Sequence, residues 1–225
     1  MAARGWFIAL EGIDGCGKTT QAKRLAESLG AVFTFEPGAT RLGGFLRRLL
    51  LDPELPIVSE RAEALLMAAD RAQHVAEMLE PLLGAGRSVV TDRFSGSTLA
   101  YQGYGRGLEL KDLERLVTWA TGGLAADLSI LVDVPLGEAE RRRAGSRSSQ
   151  DTVRAPGDRL ERLEQSFHGR VRDGYLALCA STPERWAVVD GLGTPAEVAD
   201  RVLAVVGEHF GSLPTPPASS GKGEV

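Results

Sequence analysis

Short apolar segments alternate with longer amphipathic segments along most of the chain. Five apolar segments of five or six residues are rich in branched and aromatic side chains, which is typical of buried strands. Amphipathic segments with helical periodicity separate them. This alternation predicts an α/β fold, in which a five-stranded parallel sheet carries helices on both faces as a three-layer sandwich. The predicted strands cover residues 6–10, 31–35, 88–92, 128–133 and 186–190.

Helices are predicted where apolar positions recur every three or four residues. In the first helix this spacing runs from Ala22 to Leu29, and Gly30 ends the helix. Ser59 and Thr194 are predicted N-caps of two later helices. The other helices are predicted over residues 41–51, 59–83 and 110–120, and from about residues 137, 158 and 194 onward. We expect a binding loop over residues 93–103 and a mobile surface loop over 144–157.

The helix that begins after Ser59 carries one mixed face. Met67, Arg71, His74 and Met78 follow one another at helical spacing on it. Such a mixture suits the wall of a cleft. The alternative is that both methionines lie in the core while Arg71 extends outward to solvent.

Between the first strand and the first helix, the chain fits the motif G-x-x-x-x-G-K-[ST]. Backbone N–H groups of such a loop surround a phosphate at a helix N-terminus, where the helix dipole favours negative charge. Lys18 can reach the terminal phosphates, and the Thr19 hydroxyl can bind Mg²⁺. The residues predicted to bind a nucleoside triphosphate, which the family resemblance given below implies to be ATP, are Gly12, Ile13, Asp14, Gly15, Cys16, Gly17, Lys18, Thr19 and Thr20.

Acidic residues follow several predicted strands. Right-handed crossovers bring the carboxyl ends of parallel strands to one edge, where ligands bind. Asp92 ends one strand and is followed by Arg93. Asp92 could bind Mg²⁺ or orient an acceptor, and Arg93 could hold an acceptor phosphate. Asp133 is the competing acid, but no cation follows it directly.

Residues 141–162 are strongly basic, with seven arginines against three acidic residues. Arginine suits the charge that develops in phosphoryl transfer, because its planar fork binds phosphate oxygens in pairs. The segment is therefore interpreted as a lid over the phosphates. A solvated basic loop or a nucleic-acid contact is the alternative.

Length and composition limit the number of domains, the partners and the location that we expect. The chain has 225 residues, a net charge of −4 and two cysteines. A single domain is expected over residues 1–211, with a disordered tail over 212–225. The net charge gives no support to a nucleic-acid partner, and no apolar run is long enough to cross a membrane. We expect a cytoplasmic protein in which Cys16 and Cys179 are free thiols.

These features favour a phosphotransferase over other nucleotide-binding proteins. The guanine-reading motif Asn-Lys-x-Asp is absent, which argues against a GTPase, and the short chain disfavours a mechanical ATPase. A nucleotide-binding regulatory module without turnover is the alternative from a different class.

Several motifs together resemble bacterial thymidylate kinases over about residues 5–210. These enzymes phosphorylate dTMP with ATP and Mg²⁺ and belong to the P-loop nucleoside monophosphate kinases. The most specific mark is Asp-Arg-Phe at 92–94 followed by Ala-Tyr-Gln-Gly at 100–103. The other marks are the phosphate loop at 11–20, Glu-Pro-Gly at 36–38, Ala-Leu-Leu at 64–66 with Ala-Asp-Arg at 69–71, Ser97, and Asp-Arg at 158–159.

The resemblance implies transfer of the γ-phosphoryl group of ATP to dTMP, and a homodimer. It places Asp14 near Mg²⁺ and the sugar 3′-hydroxyl, and Arg71 at the thymine edge. Tyr101 is implied to lie under the deoxyribose. The implied dTMP-binding residues are Asp14, Glu36, Arg47, Met67, Arg71, Arg93, Thr98, Tyr101 and Gln102, and the implied catalytic residues are Asp14, Lys18, Arg93 and Arg154.

The chain departs from the family pattern at three positions. Gly15 stands where some members place a catalytic arginine, so the resemblance assigns that charge to Arg154 on the lid, with Arg147 in reserve. Met67 replaces an aromatic residue that stacks on thymine, and Phe35 replaces an arginine. A related kinase with a shifted base preference is therefore the alternative within enzymes.

Overall fold

A computed structural model describes residues 4–52, 58–147 and 165–211. Its centre is a sheet of five parallel strands in the order β2-β3-β1-β4-β5. The fold class predicted from the sequence is confirmed. The strands are β1 (Phe7–Glu11), β2 (Val32–Phe35), β3 (Val89–Asp92), β4 (Leu128–Asp133) and β5 (Trp186–Asp190).

Helices connect the strands, and two of the helical stretches contain a π-helical segment. The α-helices are α1 (Lys18–Leu29), α2 (Arg41–Leu51), α3 (Glu60–His74), α4 (Glu80–Gly84), α5 (Ser95–Thr98), α6 (Leu110–Ala120), α7 (Leu136–Arg147), α8 (Gln165–Ser181) and α9 (Pro195–Phe210). The π-helical segments are Val75–Leu79 and Leu99–Gly105.

Strand β1 shows how helices cover both faces of the sheet. Ile8 and Leu10 point into a large apolar cluster that includes side chains of α1, α8 and α9. Phe7 and Ala9 point to the opposite face, into a smaller cluster with Val75 and its neighbours. All four side chains are fully buried, because successive residues of a strand face opposite sides and both sides are covered.

Several predicted helix boundaries are confirmed. Helices α2 and α6 have the predicted bounds. The Ser59 hydroxyl accepts a hydrogen bond from the Ala62 amide, so Ser59 is an N-cap. Thr194 forms a full capping box with Glu197 at the start of α9. Short polar side chains satisfy the free amides of a first helical turn, which makes such starts visible in the sequence.

Two predicted loops are wrong in part. Residues 95–105 form α5 and a π-helical segment rather than a loop. Their serine and glycine residues disfavour helix locally, but this segment packs against α8, and tertiary packing overrides the local preference. The predicted loop at 144–157 begins too early, because α7 continues to Arg147.

The rest of that predicted lid and the tail at 212–225 lie outside the described residues. Among the described helices, none combines the length and the apolar character needed to cross a membrane.

Candidate active site

The phosphate loop connects β1 to α1 at the carboxyl edge of the sheet. Gly17 is the N-cap of α1, so the helix begins at Lys18. Gly15 has a φ of +86°, and a Cβ at this position would lie 2.4 Å from the Ala139 carbonyl oxygen of α7. The loop therefore has no room for a side chain at Gly15.

Asp14 lies between two cations of the site. Its Oδ1 accepts hydrogen bonds from Lys18 Nζ at 3.2 Å and from Arg93 Nη2 at 2.5 Å, and its Oδ2 accepts one from the Tyr101 hydroxyl at 2.8 Å. Burial alone would raise the pKa of Asp14, but Arg93 and Lys18 outweigh it and hold the pKa well below its usual range. The carboxylate thus joins the phosphate-loop lysine to the arginine that follows β3.

Arg93 is held in an uncommon backbone conformation. Its φ is 75°, in the left-handed region that residues other than glycine rarely adopt. Its Nη1 donates to the Gly12 carbonyl at 3.1 Å, to Ser97 Oγ at 3.0 Å and to the Tyr175 hydroxyl at 3.2 Å. Such conformations persist only where the surroundings hold them, and they concentrate at functional sites.

Thr19 and Asp92 form the candidate metal site. The Thr19 hydroxyl donates to Asp92 Oδ2, and Asp92 Oδ1 is buried without a hydrogen-bond partner among the described residues. A carboxylate oxygen beside a hydroxyl suits Mg²⁺, which prefers oxygen ligands. The competing acid, Asp133, instead accepts hydrogen bonds from Arg172 Nε and Nη2, each at 2.7 Å.

A buried ionic cluster forms the wall next to Phe94. Arg71 Nε donates to Glu36 Oε2 at 2.8 Å, and His74 Nδ1 lies 2.9 Å from Glu36 Oε1. The other nitrogens of Arg71 donate to Thr98 Oγ1 at 2.8 Å and to the Phe94 carbonyl at 2.9 Å. Arg71 is only 2% exposed, so the alternative of an outward-pointing arginine is wrong.

The remaining residues predicted to bind dTMP lie around this cluster. Gln102 is buried and donates to Glu63 Oε1 at 3.0 Å. Arg47 donates to the Pro37 carbonyl at 2.7 Å, and its guanidinium lies 5.9 Å from the centre of the Phe35 ring. A cation therefore lies beside the Phe35 ring. Met67 lies on α3, partly buried, one turn before Arg71.

Comparison with known proteins agrees with this geometry. A family model described as thymidylate kinase matches residues 10–202. The chain belongs to the thymidylate kinase family. The thymidylate kinase of Desulfosudis oleivorans is 46% identical to it over 205 residues, which are 89% of this chain and 95% of that protein. The thymidylate kinase of Geobacter sp. strain M21 is 47% identical over 194 residues, 84% of this chain and 85% of that protein.

A solved thymidylate kinase structure, from Ehrlichia chaffeensis, matches with a TM-score of 0.73 at 29% identity. The match covers 90% of this chain and 99% of that chain. The resemblance inferred from the sequence motifs is therefore confirmed.

Two arginines that sequence reasoning did not single out contact the phosphate loop of this thymidylate kinase family member. Arg142 donates to the Cys16 carbonyl at 3.2 Å and to the Gly191 carbonyl at 3.0 Å. The Arg143 side chain lies next to Gly15, since a Cβ at Gly15 would be 2.9 Å from Arg143 Cγ. Arg143 Nη1 is buried without a hydrogen-bond partner in the described part of the chain. The sequence indicates only that Arg142 and Arg143 belong to the basic segment 141–162. Helical spacing places both arginines about one turn after Ala139, but only the fold shows that the Ala139 carbonyl lies against Gly15.

Glu11 and Tyr175 are further residues of the site that received no role from the sequence. Both are fully buried, and both belong to the hydrogen-bond network around Arg93. Arg154 lies outside the described residues, as does the side chain of Arg147. Their predicted roles therefore stay predictions.

Proposed function

We propose that this protein transfers the γ-phosphoryl group of ATP to dTMP, giving dTDP and ADP. The observation that carries the proposal is Asp14, which contacts both Lys18 and Arg93. A lysine of a phosphate loop is suited to the donor phosphates, and Arg93 to the phosphate of the acceptor. Because one short side chain contacts both cations, phosphates bound by Lys18 and by Arg93 would lie close together, as direct transfer between them requires.

On the donor side, the amides of residues 12–17 and Lys18 would bind the ATP phosphates. Thr19 and Asp92 would hold Mg²⁺, whose charge helps to neutralise the phosphate oxygens. Arg142 and Arg143 add positive charge where α7 meets the phosphate loop. We assign the remaining cation on the transferred group to Arg154 of the lid.

On the acceptor side, Arg93 would hold the phosphate of dTMP. One oxygen of that phosphate would then attack the γ-phosphorus of ATP. The new P–O bond forms as the bond to the β-phosphate bridging oxygen breaks. The attacking oxygen is already anionic, so positioning and charge neutralisation outweigh general base catalysis. Tyr101 would support the deoxyribose, and the Arg71 and Thr98 pair would meet the thymine edge.

Coupled ADP release together with chromatographic detection of dTDP tests this proposal. We expect one dTDP per ADP when dTMP is supplied, and almost no ADP release with thymidine or without an acceptor. Thymidine is the matched control, because it carries the same base and sugar without the phosphate that Arg93 would bind. A regulatory module without turnover would bind ATP but release no ADP in response to dTMP, and that result would overturn the proposal.

We also propose that the protein works as a homodimer in the cytoplasm. The packed helices α2, α3 and α6 expose large apolar side chains, and Trp119 is 83% exposed. Large exposed apolar patches mark interaction surfaces, and a second copy of the chain is the occupant we assign. The members of this patch are Leu42, Phe45, Leu49, Leu65 and Trp119.

Sedimentation equilibrium of the wild type and of a Phe45→Glu, Leu65→Glu double variant tests the dimer. We expect twice the chain mass for the wild type and the monomer mass for the variant. Val188→Glu is the control, because Val188 is also half exposed but lies on β5, away from the patch. A monomeric wild type at micromolar concentration would contradict the dimer.

A further inference from the structure

A buried carboxylate lies behind the arginine that we assign to the acceptor phosphate. Glu11 ends β1 and is 0% exposed. Its Oε1 accepts hydrogen bonds from the amides of Phe94 at 3.0 Å and Ser97 at 3.1 Å. Its Oε2 accepts from Ser97 Oγ at 2.6 Å and from the Tyr175 hydroxyl at 3.0 Å. A carboxylate that accepts from four donors orients all of them at once.

The two hydroxyls bound by Glu11 turn their lone pairs toward Arg93. Because Ser97 Oγ and the Tyr175 hydroxyl donate to Glu11, each can accept from Arg93 Nη1, at 3.0 and 3.2 Å. The two hydroxyl oxygens are 2.8 Å apart, so they present a closely spaced pair of acceptors. Glu11 therefore acts on the guanidinium through the hydroxyls, without a hydrogen bond to it among those the structure records.

The position of Tyr175 depends on a close approach between two helices. A Cβ at Gly174 would lie 2.6 Å from the Tyr104 ring, so α8 can lie this close to the segment Leu99–Gly105 only with glycine there. The Tyr175 side chain is 0% exposed, and its ring meets Tyr101 at a steep angle, with the ring centres 6.3 Å apart. Its hydroxyl is thus fixed by packing as well as by hydrogen bonds.

We propose that Glu11, Ser97 and Tyr175, the Glu11 network, are positioning residues for Arg93. The network holds one nitrogen of the guanidinium while Asp14 and Tyr101 hold the other, so the plane of the fork is set before a phosphate arrives. This inference rests on the proposed function, because it takes Arg93 as the group that binds the acceptor phosphate. It adds residues from β1 and α8 to the surroundings of Arg93, which otherwise come from the phosphate loop and the segment after β3.

Tyr175→Phe tests the proposal, because it removes the hydroxyl and keeps the ring. We expect the dissociation constant of dTMP, measured by calorimetry, and its KM to rise about tenfold, as for the loss of one hydrogen bond to a charged group. The KM of ATP should change less than twofold. Tyr104→Phe is the matched control, because it makes the same chemical change at a tyrosine whose ring contacts α8, and it should leave dTMP affinity within twofold.

A double-mutant cycle separates positioning from general packing. Arg93→Lys keeps the charge but removes the fork, so adding Tyr175→Phe to it should weaken dTMP binding by less than a further twofold. An equal loss in both backgrounds would show that Tyr175 does not act through Arg93 and would overturn the inference. So would unchanged dTMP affinity in Tyr175→Phe, whereas a wild type that neither binds nor phosphorylates dTMP would instead overturn the proposed function.

Discussion

The hydroxyl of Thr19 donates a hydrogen bond to Asp92 Oδ2, which joins the first turn of α1 to the end of β3. The second oxygen, Asp92 Oδ1, is buried and accepts no hydrogen bond within the described residues. A buried anionic oxygen without a partner is costly unless a cation or a donor occupies its free side. The pair therefore provides the strongest structural argument for a magnesium site.

Asp92→Asn should lower kcat about 100-fold and raise the Mg²⁺ concentration for half-maximal rate, because the amide removes the negative charge that we assign to metal binding. A titration of the ADP-release rate with Mg²⁺ measures both effects. Asp133→Asn is the control, because Asp133 lies at the same edge but is bound by Arg172. If both variants show the same Mg²⁺ dependence as the wild type, Asp92 is not a metal ligand.

Gly15→Ala should reduce the free energy of unfolding by about 1 to 3 kcal/mol and raise the KM of ATP. The left-handed φ disfavours any side chain, and the Ala139 carbonyl occupies the space of the Cβ. Denaturant titration and ATP kinetics measure the two effects. Gly44→Ala is the control of opposite sign, because Gly44 lies inside α2 with open space around it, and alanine there should stabilise by about 0.5 to 1 kcal/mol. Equal stability of Gly15→Ala and the wild type would contradict this account of the loop.

Arg71→Lys should lower kcat/KM for dTMP about 100-fold while the KM of ATP changes less than twofold. Lysine cannot reproduce the fork that contacts Glu36, Thr98 and the Phe94 carbonyl together, so buried acceptors lose their donors. Initial rates at varied dTMP and varied ATP give the two parameters. An equal fall in kcat/KM for dTMP and in kcat/KM for ATP would indicate general damage to the fold rather than a role on the acceptor side.

The raised pKa of Asp70 predicts that the stability difference between the wild type and an Asp70→Asn variant depends on pH. Burial, together with the nearby Glu36 carboxylate, raises the pKa of Asp70 to about 6 from an ordinary 3.8. Because the folded-state pKa is raised, protonated Asp70 favours folding and ionised Asp70 opposes it. The wild type therefore loses the stability that protonated Asp70 contributes as the pH rises from about 4 to 6. Asp70→Asn keeps an oxygen for the Gly38 amide and removes the charge.

The variant should therefore gain about 1 to 2 kcal/mol over the wild type at pH 7, and little at pH 4. Thermal unfolding of both proteins between pH 4 and 8 measures this difference. A difference that stays constant across this range would contradict the raised pKa.

The strands and the phosphate loop could be predicted because their signals are local. Strand β1 is a short apolar run covered on both sides, and the loop motif follows it directly. The C-terminal ends of α2 and α6 could be predicted because Pro53 follows the first and Gly122 the second. The helical conformation at 95–105 could not be predicted, because its local residues favour a loop and packing against α8 decides the outcome.

The Glu11 network shows why part of the site could not be predicted. Glu11 and Tyr175 are 164 residues apart in the chain but share a hydrogen bond. Neither residue belongs to a spacing pattern that implies a contact, and Tyr175 resembles any apolar position of an amphipathic helix. Only the fold brings β1, α5 and α8 together behind Arg93.

The central claim, that dTMP is the acceptor, is tested most directly by comparing kcat/KM for dTMP, dUMP, dCMP, dGMP and thymidine at saturating ATP and Mg²⁺. We predict that dTMP has the highest value, and that thymidine, which lacks the phosphate, gives almost no turnover. Met67 and Phe35 make this comparison informative, because both depart from the family pattern on the acceptor side. Another acceptor that exceeds dTMP tenfold, a difference of about 1.4 kcal/mol in transition-state stabilisation, would contradict the claim.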